Sequence, residues 1–191
     1  MYSDRSGLIL GFHGCDESIR DSVVLNKTNL KPSSNDHDWL GSGIYFWANS
    51  PERAFEFASQ QRLSSKIKVP SVLGAVIDLK YCLDLLEYKN LTIVKDTYNL
   101  LAEIMKSAKL KMPENIRPKG SDEALLRKLD CFVIESLHKL NKDKQYDSVM
   151  SAFLEGNELY DNAGFRQKNH IQICVRNPDC IKGYFIPRKK M

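Results

Sequence analysis

The sequence predicts a mixed α+β domain, and three observations carry that expectation. Apolar, β-rich segments bounded by Gly, Pro, Asn or Asp lie near both ends of the chain, helical patterns fill the interval, and no internal repeat divides the 191 residues. With 42% of positions apolar, a chain of this length buries about two-thirds of the surface its unfolded form exposes. Intrinsic disorder and a disulfide-stapled miniprotein are thereby excluded. A single domain over 1–191 is expected, with a helical block inserted at about 95–145.

The first strand is expected over Leu8–Phe12, ending in His13-Gly14-Cys15. A second apolar segment, Ile44-Tyr45-Phe46-Trp47, follows Gly41-Ser42-Gly43. Alternation along a strand sends Tyr45 and Trp47 to one face and Ile44 and Phe46 to the other, so one pair can enter a core while the other lines a cleft. Ser50-Pro51-Glu52 then supplies a cap, a first-turn proline and an acid at the positive end of a helix dipole, ahead of Ala54, Phe57, Ala58 and Gln61 on one face. A helix starts there.

A further strand is expected over Val72–Leu79, followed by helices over Lys95–Leu110 and Ser121–Leu140. The second helix rests on Leu125, Leu129, Val133 and Leu137 at steps of four. Lys111–Gly120, with Pro113, Pro118 and Gly120, reads as a loop between them. Asp147–Gly164 reads as turn-rich. The last strand, His170–Val175, places His170 and Gln172 together on one face and Ile171, Ile173 and Val175 on the core-directed face.

The net charge of +4 is spread through the chain, which permits contact with phosphate but lacks the clustered basic stripe of a dedicated nucleic-acid reader. Five cysteines in an odd set, without a CxxC pair, signal neither a disulfide framework nor a zinc site. A reduced, cytoplasmic setting is expected, with no metal. The start MYSDRSGLILGFHG lacks the pattern of a signal peptide, and no apolar run is long enough to span a bilayer.

The ordered combination is the informative feature: strand-His13-Gly14, then Gly41-Ser42-Gly43-Ile44-Tyr45-Phe46 leading into a helix with Ala54 and Ala58, then a late strand with Gln172 followed by Asn177-Pro178 and Ile181. It resembles the ADP-ribosyltransferase superfamily, in the branch with a His, Tyr and Glu-type triad shared by diphtheria-like toxins and poly(ADP-ribose) polymerases. The resemblance implies a split β-sheet core and NAD as co-substrate. It implies that His13 holds the adenosine ribose, the Gly14 main chain bonds the nicotinamide carboxamide, and Tyr45 stacks on the nicotinamide ring. Gln172 stands where the polymerases have a catalytic glutamate. A second stacking aromatic has only offset candidates in Phe55 and Phe57.

Breaking the nicotinamide–ribose bond builds an oxocarbenium-like transition state, in which contacts to the sugar hydroxyl strengthen as charge develops. Gln172 can orient that ribose but carries no charge and cannot act as a base. Because the resemblance ties the glutamate to polymer elongation, glutamine there implies transfer of a single unit. Glu155 and His170 are the candidates for activating the acceptor. Tyr160 and Phe165, with Arg166 and Lys168, offer stacking surfaces and cations to it, a mixture suited to an unpaired base with its phosphate and also to many proteins.

The function expected is that of a mono-ADP-ribosyltransferase acting on a macromolecule, nucleic acid slightly ahead of protein. The setting implied is a bacterial toxin or antiviral defence effector restrained by a dedicated antitoxin. Two alternatives stand beside it: an NAD glycohydrolase, in which water replaces the acceptor, and a catalytically silent module that binds NAD or ADP-ribose.

Overall fold

The computed structural model describes residues 7–63, 66–117 and 125–188. Among these residues seven strands form one sheet in the order β4-β7-β8-β2-β1-β3-β9. They are β1 (Ile9–Asp16), β2 (Ile44–Ala48), β3 (Pro70–Ile77), β4 (Cys82–Asp84), β7 (Ser148–Phe153), β8 (His170–Val175) and β9 (Ile181–Phe185). Every pairing is antiparallel except that of β4 with β7. A two-stranded ladder of β5 (Asn115–Ile116) and β6 (Leu126–Arg127) lies apart from it. Among the described residues four helices accompany the strands: α1 (Glu17–Val24), α2 (Pro51–Leu63), α3 (Tyr88–Ser107) and α4 (Lys128–Leu140). The α+β expectation holds, and among the described residues no helix is long and apolar enough to cross a membrane.

Both faces of the sheet are covered. Ile44, Phe46, Leu73, Ile77, Met150 and Ile173 form one core with Val23 of α1. On the opposite face the cover is in two parts. At one end Ala54 of α2 packs on Phe12 and Trp47, and at the other Ile134 and Leu137 of α4 pack on Leu83, Val149 and Cys174. Ile44 and Phe46 thus take one face, as alternation requires, and Tyr45 and Trp47 the other. β8 runs between β2 and β7, inside the sheet.

Several boundaries differ from those expected, each for a local reason. β1 continues through His13 and Gly14 to Asp16, because β3 pairs with it along its whole length. Asp16 then caps α1, which was not anticipated, by accepting from the Ser18 N–H at 3.0 Å. α3 starts at Tyr88, ahead of the expected Lys95, where the Asn90 side chain anchors its first turn by donating to the Asp84 carbonyl at 2.9 Å. Lys109, at φ 54°, stops the chain short of a longer helix.

α4 begins at Lys128 and not at Ser121; residues 121–124 lie outside the described residues, and Leu125 precedes the helix. Its first turn is capped from afar, since Asn115 Oδ1 accepts from the main-chain N–H groups of Leu129 (2.9 Å) and Asp130 (3.3 Å). Of the loop expected at Lys111–Gly120, Asn115–Ile116 forms β5, and Pro118 and Gly120 fall outside the described residues. Ser148–Phe153, expected within a turn-rich stretch, is β7 instead.

Candidate active site

The expected site residues come from three consecutive strands of the sheet: His13 from β1, Tyr45 from β2 and Gln172 from β8. The first junction is where two strands part. The Leu10 carbonyl accepts from the Asn49 N–H at 2.9 Å, so alternation turns the main-chain groups of Leu10, Phe12 and Gly14 toward β2. Pairing between the strands ends at Phe12 and Trp47. The next rung would set Gly14 opposite Tyr45, but the Tyr45 carbonyl accepts from His13 Nδ1 at 2.7 Å. The His13 ring, lying against Phe46, takes up that strand contact and leaves the Gly14 main chain directed into the gap.

A carbonyl only accepts, so His13 Nδ1 carries the proton and Nε2 presents a lone pair. Burial lowers the His13 pKa, against the opposing effect of the bond to Tyr45. Gly14 is also required on its other side. A Cβ there would sit 2.2 Å from the Ala54 carbonyl oxygen of α2, so the absence of a side chain lets the helix lie on the strand.

Tyr45 is anchored at its hydroxyl, which donates to the Gly41 carbonyl (2.6 Å) and accepts from the Leu40 N–H (2.9 Å). Burial raises its pKa, keeping the phenol protonated. The loop it grips is held again from α4. Glu135 accepts from the Ser42 N–H at 2.7 Å and pairs with Arg176 at 2.5 Å. Gly41 takes φ +78°, and a Cβ on it would meet that Glu135 carboxylate at 2.6 Å.

Gln172 pairs with Trp47 on one side and Ser151 on the other, and directly opposite residues of antiparallel strands share a face. It therefore projects from the same face as Tyr45, whose partner on β8 is Cys174. Its side chain is half-buried, and no hydrogen bond within the described residues takes up its amide. His13 starts from the opposite face by alternation and enters the site at the parting of the strands.

Beside Gln172 is a polar cluster that the sequence only half revealed. His170 is buried, its Nδ1 donating to the Lys168 carbonyl at 2.7 Å and lying 3.9 Å from Glu155. Burial lowers its pKa, so it is neutral near pH 7 with Nε2 as the basic atom. Glu155 accepts from Arg53 of α2 at 2.9 Å. Glu56 pairs with Arg53 and, at 2.5 Å, with Lys168. Burial works to raise the Glu56 pKa, and the two cations hold it below its ordinary value.

Trp47 Nε1, Arg53 Nε and His170 Nε2 are enclosed with no hydrogen-bond partner among the described residues. The sequence singled out Glu155 and His170. It gave no reason to single out Arg53 or Glu56.

The chain between β7 and β8 folds back on itself as an irregular hairpin. Its rungs run from the Lys168 N–H to the Glu155 carbonyl (2.9 Å), from Gln167 to Asn157 (2.9 Å) and from Leu159 to Phe165 (3.0 Å). Tyr160 and Phe165 stand exposed toward its tip, whereas Glu155 and His170 meet at its base. Of the offset aromatics, Phe57 packs on Trp47 with ring centres 5.1 Å apart and Phe55 is half exposed.

No protein-family profile matches this chain, and no solved structure matches it either. An uncharacterized protein of Methanocaldococcus jannaschii is 24% identical to it over 194 residues, covering 90% of this chain and 83% of that protein.

Proposed function

We propose that the protein is a mono-ADP-ribosyltransferase that cleaves NAD and passes one ADP-ribose unit to a macromolecule, in a fold of the ADP-ribosyltransferase type. The observation that carries this reading is the parting of β1 and β2 after the Phe12–Trp47 pair, with His13 bonded across it and the Gly14 main chain facing in. A carboxamide needs one acceptor and one donor, and a strand edge with free N–H and C=O groups supplies both. Tyr45, fixed at its hydroxyl, presents its ring to a planar heterocycle. Gln172, with its amide uncommitted, orients the ribose.

In the reaction nicotinamide leaves with the electron pair of its bond to the ribose anomeric carbon. The nucleophilic atom of the acceptor bonds that carbon and gives up its proton. Glu155, partly exposed and held by Arg53, receives the proton, since His170 Nε2 is enclosed and out of the acceptor's reach. As glutamine stabilises the developing positive charge less than glutamate would, positioning supplies more of the rate. A toxin of this kind, restrained by an antitoxin in its own cytoplasm, is the biological setting that this chemistry suits.

The test is incubation with NAD labelled in its ADP-ribose half, alongside separated RNA, DNA and protein fractions. Native chain should label one fraction, and Tyr45→Ala and Gln172→Ala should abolish the label. Free labelled ADP-ribose with no labelled fraction would show a glycohydrolase. NAD binding without nicotinamide release would show a silent module, and equal labelling by native and variant chains would reject the site.

A further inference from the structure

A pocket of about 380 Å³ opens between α3, α4 and β7, within the roughly 300–1,000 Å³ of small-ligand sites. Three of its walls are aromatic: Trp39, Tyr98 and Phe153. Lys95, Arg127 and Asp130 also line it, and the Arg127 guanidinium lies 3.7 Å from the Asp130 carboxylate, which leaves Lys95 as the cation whose charge faces a ligand. The Arg127 guanidinium lies 4.2 Å from the centre of the Trp39 ring and 4.8 Å from that of Phe153, so it covers those two rings. Trp39 is held in place by its Nε1–H, which donates to the Leu125 carbonyl at 3.0 Å.

The pocket also shares a wall with the candidate active site. Ser151 and Phe153, which line it, stand directly opposite Gln172 and His170 in the β7–β8 pairing. A group seated there lies on the same face of the sheet as the proposed transfer site, one strand away.

We propose that this pocket receives an unpaired nucleobase of a single-stranded nucleic-acid acceptor, stacked against the exposed Tyr98 ring and the Arg127 guanidinium, with Lys95 attracting the adjoining phosphate. The proposal rests on the transferase reading for its catalytic meaning, but the binding is measurable without it. Stacking on aromatic or guanidinium planes beside cations is the chemistry that recognises unpaired bases, and a duplex with its bases stacked inside cannot use it.

The test uses fluorescein-labelled short single strands of mixed sequence, RNA and DNA in separate arms, with the matching duplexes as controls and fluorescence anisotropy as readout. Tyr98 and Lys95 are exposed, so Tyr98→Ala and Lys95→Glu should leave the fold intact, which circular dichroism checks. Each should weaken binding of a single strand by about fivefold or more, and Lys95→Glu should also flatten its salt dependence. Nicotinamide release from NAD alone should be the same in both variants as in the native chain.

Unchanged single-strand affinity in both variants, or equal affinity for duplex, would overturn the proposal. The two readings fail separately. Strand binding lost in the variants of a chain that never cleaves NAD removes the transferase and keeps the pocket. NAD-dependent labelling of protein by a chain that binds no strand removes the pocket and keeps the transferase.

Discussion

The Tyr45 hydroxyl and the Tyr45 ring do different things, and a single atom separates them. The hydroxyl ties the strand to Leu40 and Gly41, while the ring is the surface proposed for the nicotinamide. Tyr45→Phe removes two hydrogen bonds and leaves the Leu40 N–H and Gly41 carbonyl to find other partners, a cost of about 1–3 kcal/mol. Urea denaturation should record that loss while NAD cleavage stays closer to native than in Tyr45→Ala. Activity falling equally in both variants would assign the function to the hydroxyl. At this scale the sequence was informative: His13, Tyr45 and Gln172 stood out through their neighbours. Arg53 and Glu56 did not, because what distinguishes them is their pairing with Glu155 and Lys168, which are remote in sequence.

Helix α2 is the element on which the site depends most directly. It lies against β1 at Gly14 and sends Arg53 and Glu56 to the base of the β7–β8 hairpin. In Gly14→Ala the new methyl group collides with backbone, which cannot rotate away. The helix must shift, at a cost of about 1–3 kcal/mol typical of overpacking. Thermal melting should show the destabilisation, and NAD cleavage should fall by more than the folded fraction does. A melt indistinguishable from native would mean that α2 is not seated as described. Ser50-Pro51-Glu52 announced this helix correctly because its signals are local. The starts of α3 and α4 were misjudged because Asn90 and Asn115 side chains hold them, and neither bond leaves a mark in hydrophobic periodicity. β7 was missed for another reason: Val149, Met150 and Phe153 are buried on both faces, so the strand lacks the alternation that betrays a half-exposed one.

Across the whole molecule, three histidines share one electrostatic property. His13, His138 and His170 each have a pKa lowered chiefly by burial, with Arg53 and Arg127 adding to the effect at His170 and Glu155 opposing it. The folded state therefore resists protonation that the unfolded chain accepts near pH 6.5. The unfolded state binds more protons below that pH, so stability is complete above about 6.5 and declines as the pH falls through it. Urea midpoints at pH 7.5 and 5.5 should show the decline, and His138→Asn should make it shallower. A midpoint independent of pH over that interval would mean the rings titrate as freely as in the unfolded chain. By itself the sequence determined the α+β class, the strands at both ends, the start of α2 and the face shared by His170 and Gln172, because periodicity and local start signals act between near neighbours. Only the tertiary structure decided that β1, β2 and β8 lie side by side, that β1 and β2 part at His13, and that α2 reaches Glu155 and Lys168. Those arrangements depend on hydrogen bonds and ion pairs between segments far apart in the chain, and no local pattern of residues encodes which distant segment a strand edge or a charge will meet.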